Sequence, residues 1–192
     1  NIEQAYILVD GELQNPSLVP ESPSARILFE SSKISHVYTE VRGELVSPPQ
    51  GFFIDEDGKV WKYIVTSCQR LSSYDSYDPK NRDISQEYFL DRFRHSKLMG
   101  NVDLSTLKQK ISLIAEASKG QIKKKVFSKE IDINRRGFYS FEVRGYYACL
   151  YDEDSRVCKQ ILLEDNDGIN TSTESTELLK WVNEVIRIDY NF

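Results

Sequence analysis

The sequence lacks the residue patterns that most catalytic and metal sites require. Its 192 residues include only two histidines and three cysteines, and none of these has the Cys-x-x-Cys or His-x-x-x-His spacing of a zinc site. The nine glycines are dispersed and form no G-x-G-x-x-G or Walker pattern for phosphate. We therefore predict a protein with no metal, no cofactor and no enzymatic activity.

Long hydrophobic runs are also missing. The longest apolar stretches, such as residues 6–9, fall well short of the roughly 18 residues that span a membrane. An odd number of cysteines in a chain of this size favours a reducing compartment, so we expect a cytoplasmic protein without a membrane segment. A hairpin around Glu153 and Asp154 would nevertheless place Cys149 opposite Cys158, within reach of a disulfide. The redox state of this pair is left open.

Length and composition favour one globular domain. A chain of 192 residues is little longer than the roughly 150 residues of a typical domain. Its 40% hydrophobic and 29% charged residues are typical of a globular protein rather than of a disordered or fibrous one. We predict a single domain over residues 1–192.

Alternation of apolar and polar residues predicts several strands. Residues 37–45 alternate with a period of two, which indicates an antiparallel strand. Residues 52–54 and 60–68 flank Asp57-Gly58, whose glycine supplies the positive φ of a tight turn, so they form a hairpin. Further strands are expected at residues 5–9, 26–29 and 156–164, and a long hairpin is expected between residues 122–133 and 138–151.

Helical periodicity appears in three places. Leu104, Leu107, Ile111, Ile114 and Ala115 share one face of a helix over residues 104–119, which Asp103 can cap and Gly120 can end. Apolar residues between 178 and 188 also share one face, and residues 83–97 begin with the pattern of a capping box. The predicted class is therefore α+β: a mainly antiparallel sheet with about three helices, including an amphipathic C-terminal helix packed on the sheet.

Charge is distributed unevenly along the chain. The formal net charge is −5, and residues 152–177 contain eight acidic and two basic residues, a net charge of −6. Residues 71–83 contain two copies of Ser-Tyr-Asp. Acidic surfaces with aromatic anchors attract and hold basic proteins, although a solvated acidic rim is the simpler explanation for the 152–177 stretch. The predicted partner-binding residues are Tyr74, Asp75, Tyr77, Asp78, Asp152, Glu153, Asp154, Asp165 and Asp167.

The leading hypothesis is a non-enzymatic binding protein or inhibitor whose acidic surface engages a basic protein. Bacterial immunity proteins that neutralise a basic toxin or nuclease domain have this kind of composition, because they are acidic domains that act by occlusion. The analogy is one of composition, since no family motif is present.

A basic run supports an alternative function. Residues 119–136 contain seven basic and two acidic residues. Lys123, Lys124 and Lys125, together with His36 and His95, could serve a nucleic-acid-acting enzyme or an RNA-binding module. The acidic total charge argues against a nucleic-acid partner, and lysines on an edge strand also prevent unwanted strand pairing.

Two short patterns in the acidic stretch resemble functional motifs but have simpler explanations. Residues 165–170 resemble a calcium loop, but the glycine falls at the fourth position rather than the sixth, so turn chemistry explains this segment better. Asn170-Thr171-Ser172 matches a glycosylation acceptor, a pattern that arises often by chance.

Overall fold

The computed structural model describes residues 7–9, 12–14, 22–39, 43–46, 50–64, 82–85, 96–125, 138–152 and 157–187. These residues contain twelve strands and two helices. The strands in the first half are β1 Ile7–Val9, β2 Glu12–Gln14, β3 Ile27–Thr39, β4 Gly43–Val46, β5 Gln50–Asp55, β6 Lys59–Ile64, β7 Arg82–Ser85 and β8 Ser96–Asn101. The remaining elements are α1 Leu104–Ala117, β9 Ile122–Lys124, β10 Phe138–Tyr151, β11 Val157–Glu164, β12 Gly168–Asn170 and α2 Thr173–Arg187.

Ten of these described strands form one antiparallel sheet. The strand order is β8-β6-β5-β3-β10-β11-β12-β9, with β4 paired to β3 and β7 paired to β11. Strands β1 and β2 form a separate pair. The prediction of an α+β protein with a mainly antiparallel sheet is confirmed.

The centre of the sheet is the long pair of β3 and β10, which are in register from Thr39 opposite Phe138 to Phe29 opposite Ala148. The predicted single strand over residues 37–45 is wrong, because the chain reverses between β3 and β4. The register places Val37 opposite Leu45 and Thr39 opposite Gly43. Odd-numbered residues therefore face odd-numbered residues, so the alternation continues through the reversal and resembles one strand.

The hairpin of β5 and β6 is confirmed. Gly58 has a φ of 78°, in the left-handed region that the predicted turn requires. The Asp55 carboxylate also organises the turn, since it accepts hydrogen bonds from the backbone N–H groups of Asp57 at 3.1 Å and Lys59 at 2.9 Å. The turn is thus fixed by glycine backbone freedom and by one buried carboxylate.

The helix predictions hold in two places of three. As predicted, Asp103 caps α1 by accepting a hydrogen bond from the backbone N–H of Thr106 at 2.8 Å. The C-terminal helix α2 packs on the sheet, where the rings of Phe29 and Trp181 meet edge to face at 5.2 Å. The third predicted helix is not matched, because residues 83–97 begin in β7 and end in β8. Residues 86–95 lie outside the described residues.

The first three residues of the predicted third helix belong to the sheet instead. The backbone of Asp83 pairs with Lys159 of β11, so its hydrogen bonds are made in the sheet rather than in a capping box. The predicted hairpin between residues 122–133 and 138–151 is wrong at its outer end, and residues 126–137, which include its turn, lie outside the described residues. Strand β9 pairs with β12, while β10 pairs with β3 and β11.

Both faces of the sheet carry buried side chains. On one face the helices contribute Leu107, Leu178 and Val182 to a core that contains Phe29 and Val60. In β5, β6 and β10 the residues that alternate with this core point to the other face and belong to a second buried cluster. That cluster comprises Ile27, Phe53, Trp61, Tyr63, Cys149 and Cys158. In the part of the chain described here, no helix combines the length and the hydrophobicity needed to cross a bilayer.

Candidate functional site

Four exposed carboxylates lie at one end of the sheet. Glu56 and Asp57 belong to the β5–β6 turn, Asp103 caps α1, and Asp152 follows β10. We call these four residues the acidic end.

Backbone hydrogen bonds hold these segments beside one another. Glu56 N–H donates to the carbonyl of Arg26 at 2.9 Å, which ties the turn to the start of β3. Val102 N–H donates to the carbonyl of Gly58 at 2.8 Å, which ties the start of α1 to the same turn. Backbone hydrogen bonds therefore fix the β5–β6 turn, the start of β3 and the start of α1 relative to one another.

The end of β10 is tied to the start of β3 through a tyrosine. The Tyr151 hydroxyl accepts from the backbone N–H of Ile27 at 3.1 Å and lies 3.3 Å from the carbonyl of Ile27, to which it can donate. Asp152 is the next residue, so its position beside the start of β3 follows from this contact.

An apolar groove opens beside the acidic end. It has a volume of about 370 Å³, and we call it the Leu104 groove. Leu104 is 52% exposed, the highest exposure of any large hydrophobic side chain among the residues whose burial the structure describes. The groove's aliphatic lining consists of Leu28, Leu104, Leu107, Ile111, Ile114 and Leu150.

The sequence placed Leu104 and Ala115 on the buried face of α1, and both are exposed. Leu104 is the first residue of the helix, so its side chain lies beyond the part of α1 that packs on the sheet. Leu107, one turn further, is only 1% exposed. Helical periodicity predicts the direction in which a side chain points, but it does not predict where the sheet under the helix ends. No feature of the sequence therefore predicted this groove.

Two cations also line the groove. The guanidinium of Arg26 lies 5.1 Å from the centroid of the Tyr151 ring, and Lys108 is one turn along α1 from Leu104. Neither forms an ion pair with a carboxylate of the described residues, whereas Lys110 pairs with Glu177 at 2.5 Å. The remaining charged lining residue, Glu56, accepts a hydrogen bond from the Ser24 hydroxyl at 2.9 Å.

The predicted partner-binding residues fall into three groups. Asp152 is exposed and belongs to the acidic end, and Asp165 and Asp167 lie in the turn between β11 and β12. The remaining predicted residues lie outside the described part of the chain: Tyr74, Asp75, Tyr77, Asp78, Glu153 and Asp154.

Asp165 serves the turn in which it lies. It is only 6% exposed, and its carboxylate accepts hydrogen bonds from the backbone N–H groups of Asp167 at 2.8 Å and Gly168 at 2.7 Å. Asp167 itself is exposed. This geometry agrees with the turn chemistry inferred for the segment.

The structure does not bring Asp152 and Asp167 together. The register of β10 and β11 places Tyr151 opposite Cys158 and Tyr146 opposite Glu164, so the two aspartates lie beyond opposite ends of β11. Eight residues of strand separate the ends by roughly 23 Å. The acidic stretch of the sequence is therefore divided between two surfaces.

At the Asp167 end the acidic and basic runs of the sequence meet. Strand β9 places Lys123 opposite Ile169 and Lys124 opposite Gly168. Lys125 forms an ion pair with Glu164 and donates to the carbonyl of Asp165 at 2.8 Å. The described part of the basic run thus adjoins carboxylates. Of the two histidines, His36 lies in β3 in register with Val46 and Phe141, and His95 lies outside the described residues.

Cys149 and Cys158 are buried and not bonded to each other. Cys149 pairs with Gln160 rather than with Cys158, so the hairpin's centre lies one residue later than the sequence suggested. Burial raises the pKa of the Cys149 thiol well above its usual value, and a hydrogen bond with Cys158 raises it further. Buried thiols of this kind are inert. Cys68 lies outside the described residues, and the described residues contain no group of His, Cys, Asp or Glu suited to a metal ion.

Comparison with protein-family models, with curated proteins and with solved structures finds no match. We therefore infer the function from the chemistry of the site itself.

Proposed function

We propose that this chain is a non-enzymatic binding protein that holds a basic protein partner against its acidic end. The observation that carries the proposal is that four exposed carboxylates lie at the same end of the sheet as the exposed side chain of Leu104, which follows Asp103 in the chain and lines the groove with Glu56. Interfaces commonly combine an apolar anchor with a polar rim, and this arrangement has both parts.

The carboxylates act mainly on the rate and orientation of binding. An exposed ion pair contributes only about 0–1 kcal/mol, but a cluster of one sign attracts an oppositely charged partner from a distance and fixes how it approaches. In the sequence, Glu153 and Asp154 directly follow Asp152 and add two negative charges. The lasting contact then comes from apolar burial at Leu104.

Such a protein acts by occlusion, because it covers a surface of its partner and makes or breaks no covalent bond. A basic toxin or nuclease domain neutralised in the cytoplasm is the kind of partner that this chemistry suits. A bacterial immunity protein would act in this manner.

Matched baits test the proposal. Wild-type protein, Asp57→Lys/Asp152→Lys and Asp167→Lys/Glu116→Lys are immobilised, and the proteins captured from an extract of the source organism are quantified by mass spectrometry. The two double variants change the net charge equally, but the second alters surfaces away from the acidic end. Melting temperatures within a few degrees of wild type establish that both variants are folded.

We expect a basic protein to be captured by the wild type and by the Asp167 and Glu116 variant, and to be lost from the Asp57 and Asp152 variant. Equal capture by all three baits would contradict the proposal. Loss with only the Asp167 and Glu116 variant would assign binding to another surface and would also contradict it.

A further inference from the structure

We infer that the Leu104 groove receives an aromatic side chain carried by a basic segment of the partner. This inference rests on the proposed function and names the part of the partner that makes the central contact.

The apolar lining supplies the first argument. A volume of about 370 Å³ lies within the roughly 300–1,000 Å³ of ligand pockets, so one large side chain can enter. Leu104 is exposed beside Leu107, which is buried, and the groove therefore presents a continuous apolar wall from solvent into the core. Covering such a wall with an apolar side chain is favourable, because it removes apolar surface from water.

The two cations decide which side chain enters. Arg26 and Lys108 form no ion pair with a carboxylate of the described residues. Their positive charges would therefore repel a lysine or arginine of the partner. An aromatic ring avoids this repulsion, because its face attracts a cation at a distance of about 6 Å or less. Aromatic rings are also the commonest anchors of protein interfaces.

The protein already contains contacts of this kind. Arg26 lies 5.1 Å from the centroid of the Tyr151 ring, and Lys62 lies 5.8 Å from the centroid of the Phe52 ring. Leu104 and Lys108 are four residues apart on α1 and so lie on the same side of the helix. A ring resting on Leu104 would be within reach of the Lys108 ammonium.

The surroundings of the groove decide what flanks the ring. Glu56 lines the groove, and the exposed residues Asp57, Asp103 and Asp152 are the chain neighbours of its lining residues Glu56, Leu104 and Tyr151. Residues next to the anchor in the partner would face these carboxylates, which favours lysine and arginine there. The occupant is therefore a basic segment with one aromatic residue.

Short capped polylysine peptides that differ only in their central residue test this inference. The central residue is phenylalanine, cyclohexylalanine, which is apolar but has no aromatic face, or serine. Binding to the full chain is measured by NMR titration, from the methyl signals of Leu104, Leu107 and Ile111 and the amide signals of Asp57 and Asp152.

We expect all three peptides to shift the amide signals and only the two apolar peptides to shift the methyl signals. The phenylalanine peptide should bind about tenfold more tightly than the serine peptide and about threefold more tightly than the cyclohexylalanine peptide. Leu104→Ser should remove most of the first difference and Lys108→Gln most of the second. Lys180→Gln, on the exposed side of α2, should change neither.

The outcomes separate the two proposals. If all three peptides bind equally and shift only the amide signals, the acidic end binds basic segments and the inference about the groove is wrong. If the cyclohexylalanine peptide binds as tightly as the phenylalanine peptide, the aromatic requirement is wrong. If no peptide shifts either set of signals, the proposed function fails together with the inference.

Discussion

The carboxylate of Asp55 accepts a hydrogen bond from the indole Nε1 of Trp61 at 2.9 Å, and both side chains are buried. The same carboxylate accepts from the backbone N–H groups of Ser24, Asp57 and Lys59. One buried carboxylate thus joins the segment before β3, the β5–β6 turn and β6. Because Glu56 and Asp57 extend from this turn, Asp55 positions half of the acidic end.

Replacing Asp55 by alanine should lower the free energy of unfolding by about 3 kcal/mol or more, because it leaves several buried N–H groups without their acceptor. Urea denaturation followed by tryptophan fluorescence measures the change. Asp57→Ala is the control: its side chain is exposed, so we expect a change within about 0.5 kcal/mol. Equal effects of the two substitutions would show that the Asp55 contacts do not stabilise the fold.

Asn170 joins the two helices. Its side chain is 3% exposed, donates to the carbonyl of Ala117 at 2.9 Å and accepts from the backbone N–H of Ser172 at 3.1 Å. Asn170→Ala should therefore destabilise the protein by about 2 kcal/mol, measured by thermal or urea unfolding. Thr171→Ala removes only an exposed hydrogen bond to Gln121 and should cost less than about 1 kcal/mol. A neutral Asn170→Ala variant would contradict this account of the helix junction.

Burial of Cys149 predicts a loss of stability at alkaline pH. Its pKa is raised in the folded protein, whereas the unfolded thiol ionises near pH 8.5. Above that pH the unfolded state loses a proton that the folded state keeps, so the free energy of unfolding falls by up to about 1.4 kcal/mol per pH unit.

Urea titrations between about pH 7 and pH 10 measure this slope. The Cys149→Ala variant should lose less stability over that range than the wild type. Val182→Ala, which truncates a buried side chain that does not ionise, should keep the wild-type slope. Identical slopes for Cys149→Ala and wild type would contradict the assignment.

Local chemistry made parts of this fold predictable. The Asp103 cap and the Gly58 turn depend on a few neighbouring residues, and both form as the sequence indicated. The amphipathic face of α2 was also predictable, because Leu178 and Val182 recur at helical spacing and both are buried. In each case the residues that determine the structure are only a few positions apart in the sequence.

Pairing between distant segments was not predictable. The reversal between β3 and β4 preserves the alternation of apolar and polar residues in the sequence. Nothing in the sequence of β9 indicates that it pairs with β12 rather than with β10. Among the candidate site residues, Asp152 could be selected from charge alone. The acidic end also requires Glu56, Asp57 and Asp103, which come from distant segments and meet only through the tertiary contacts of Gly58 and Ile27.

The most direct test of the proposed function is the footprint of the captured basic partner on this chain. Hydrogen–deuterium exchange is measured by mass spectrometry with and without the partner. Our account predicts slower exchange in residues 56–58, 102–108 and 150–152, with no change in β9, in β12 or in the turn that contains Asp167. Protection confined to that turn, to β9 or to the outer side of α2, with unchanged exchange at residues 56–58 and 102–108, would contradict it.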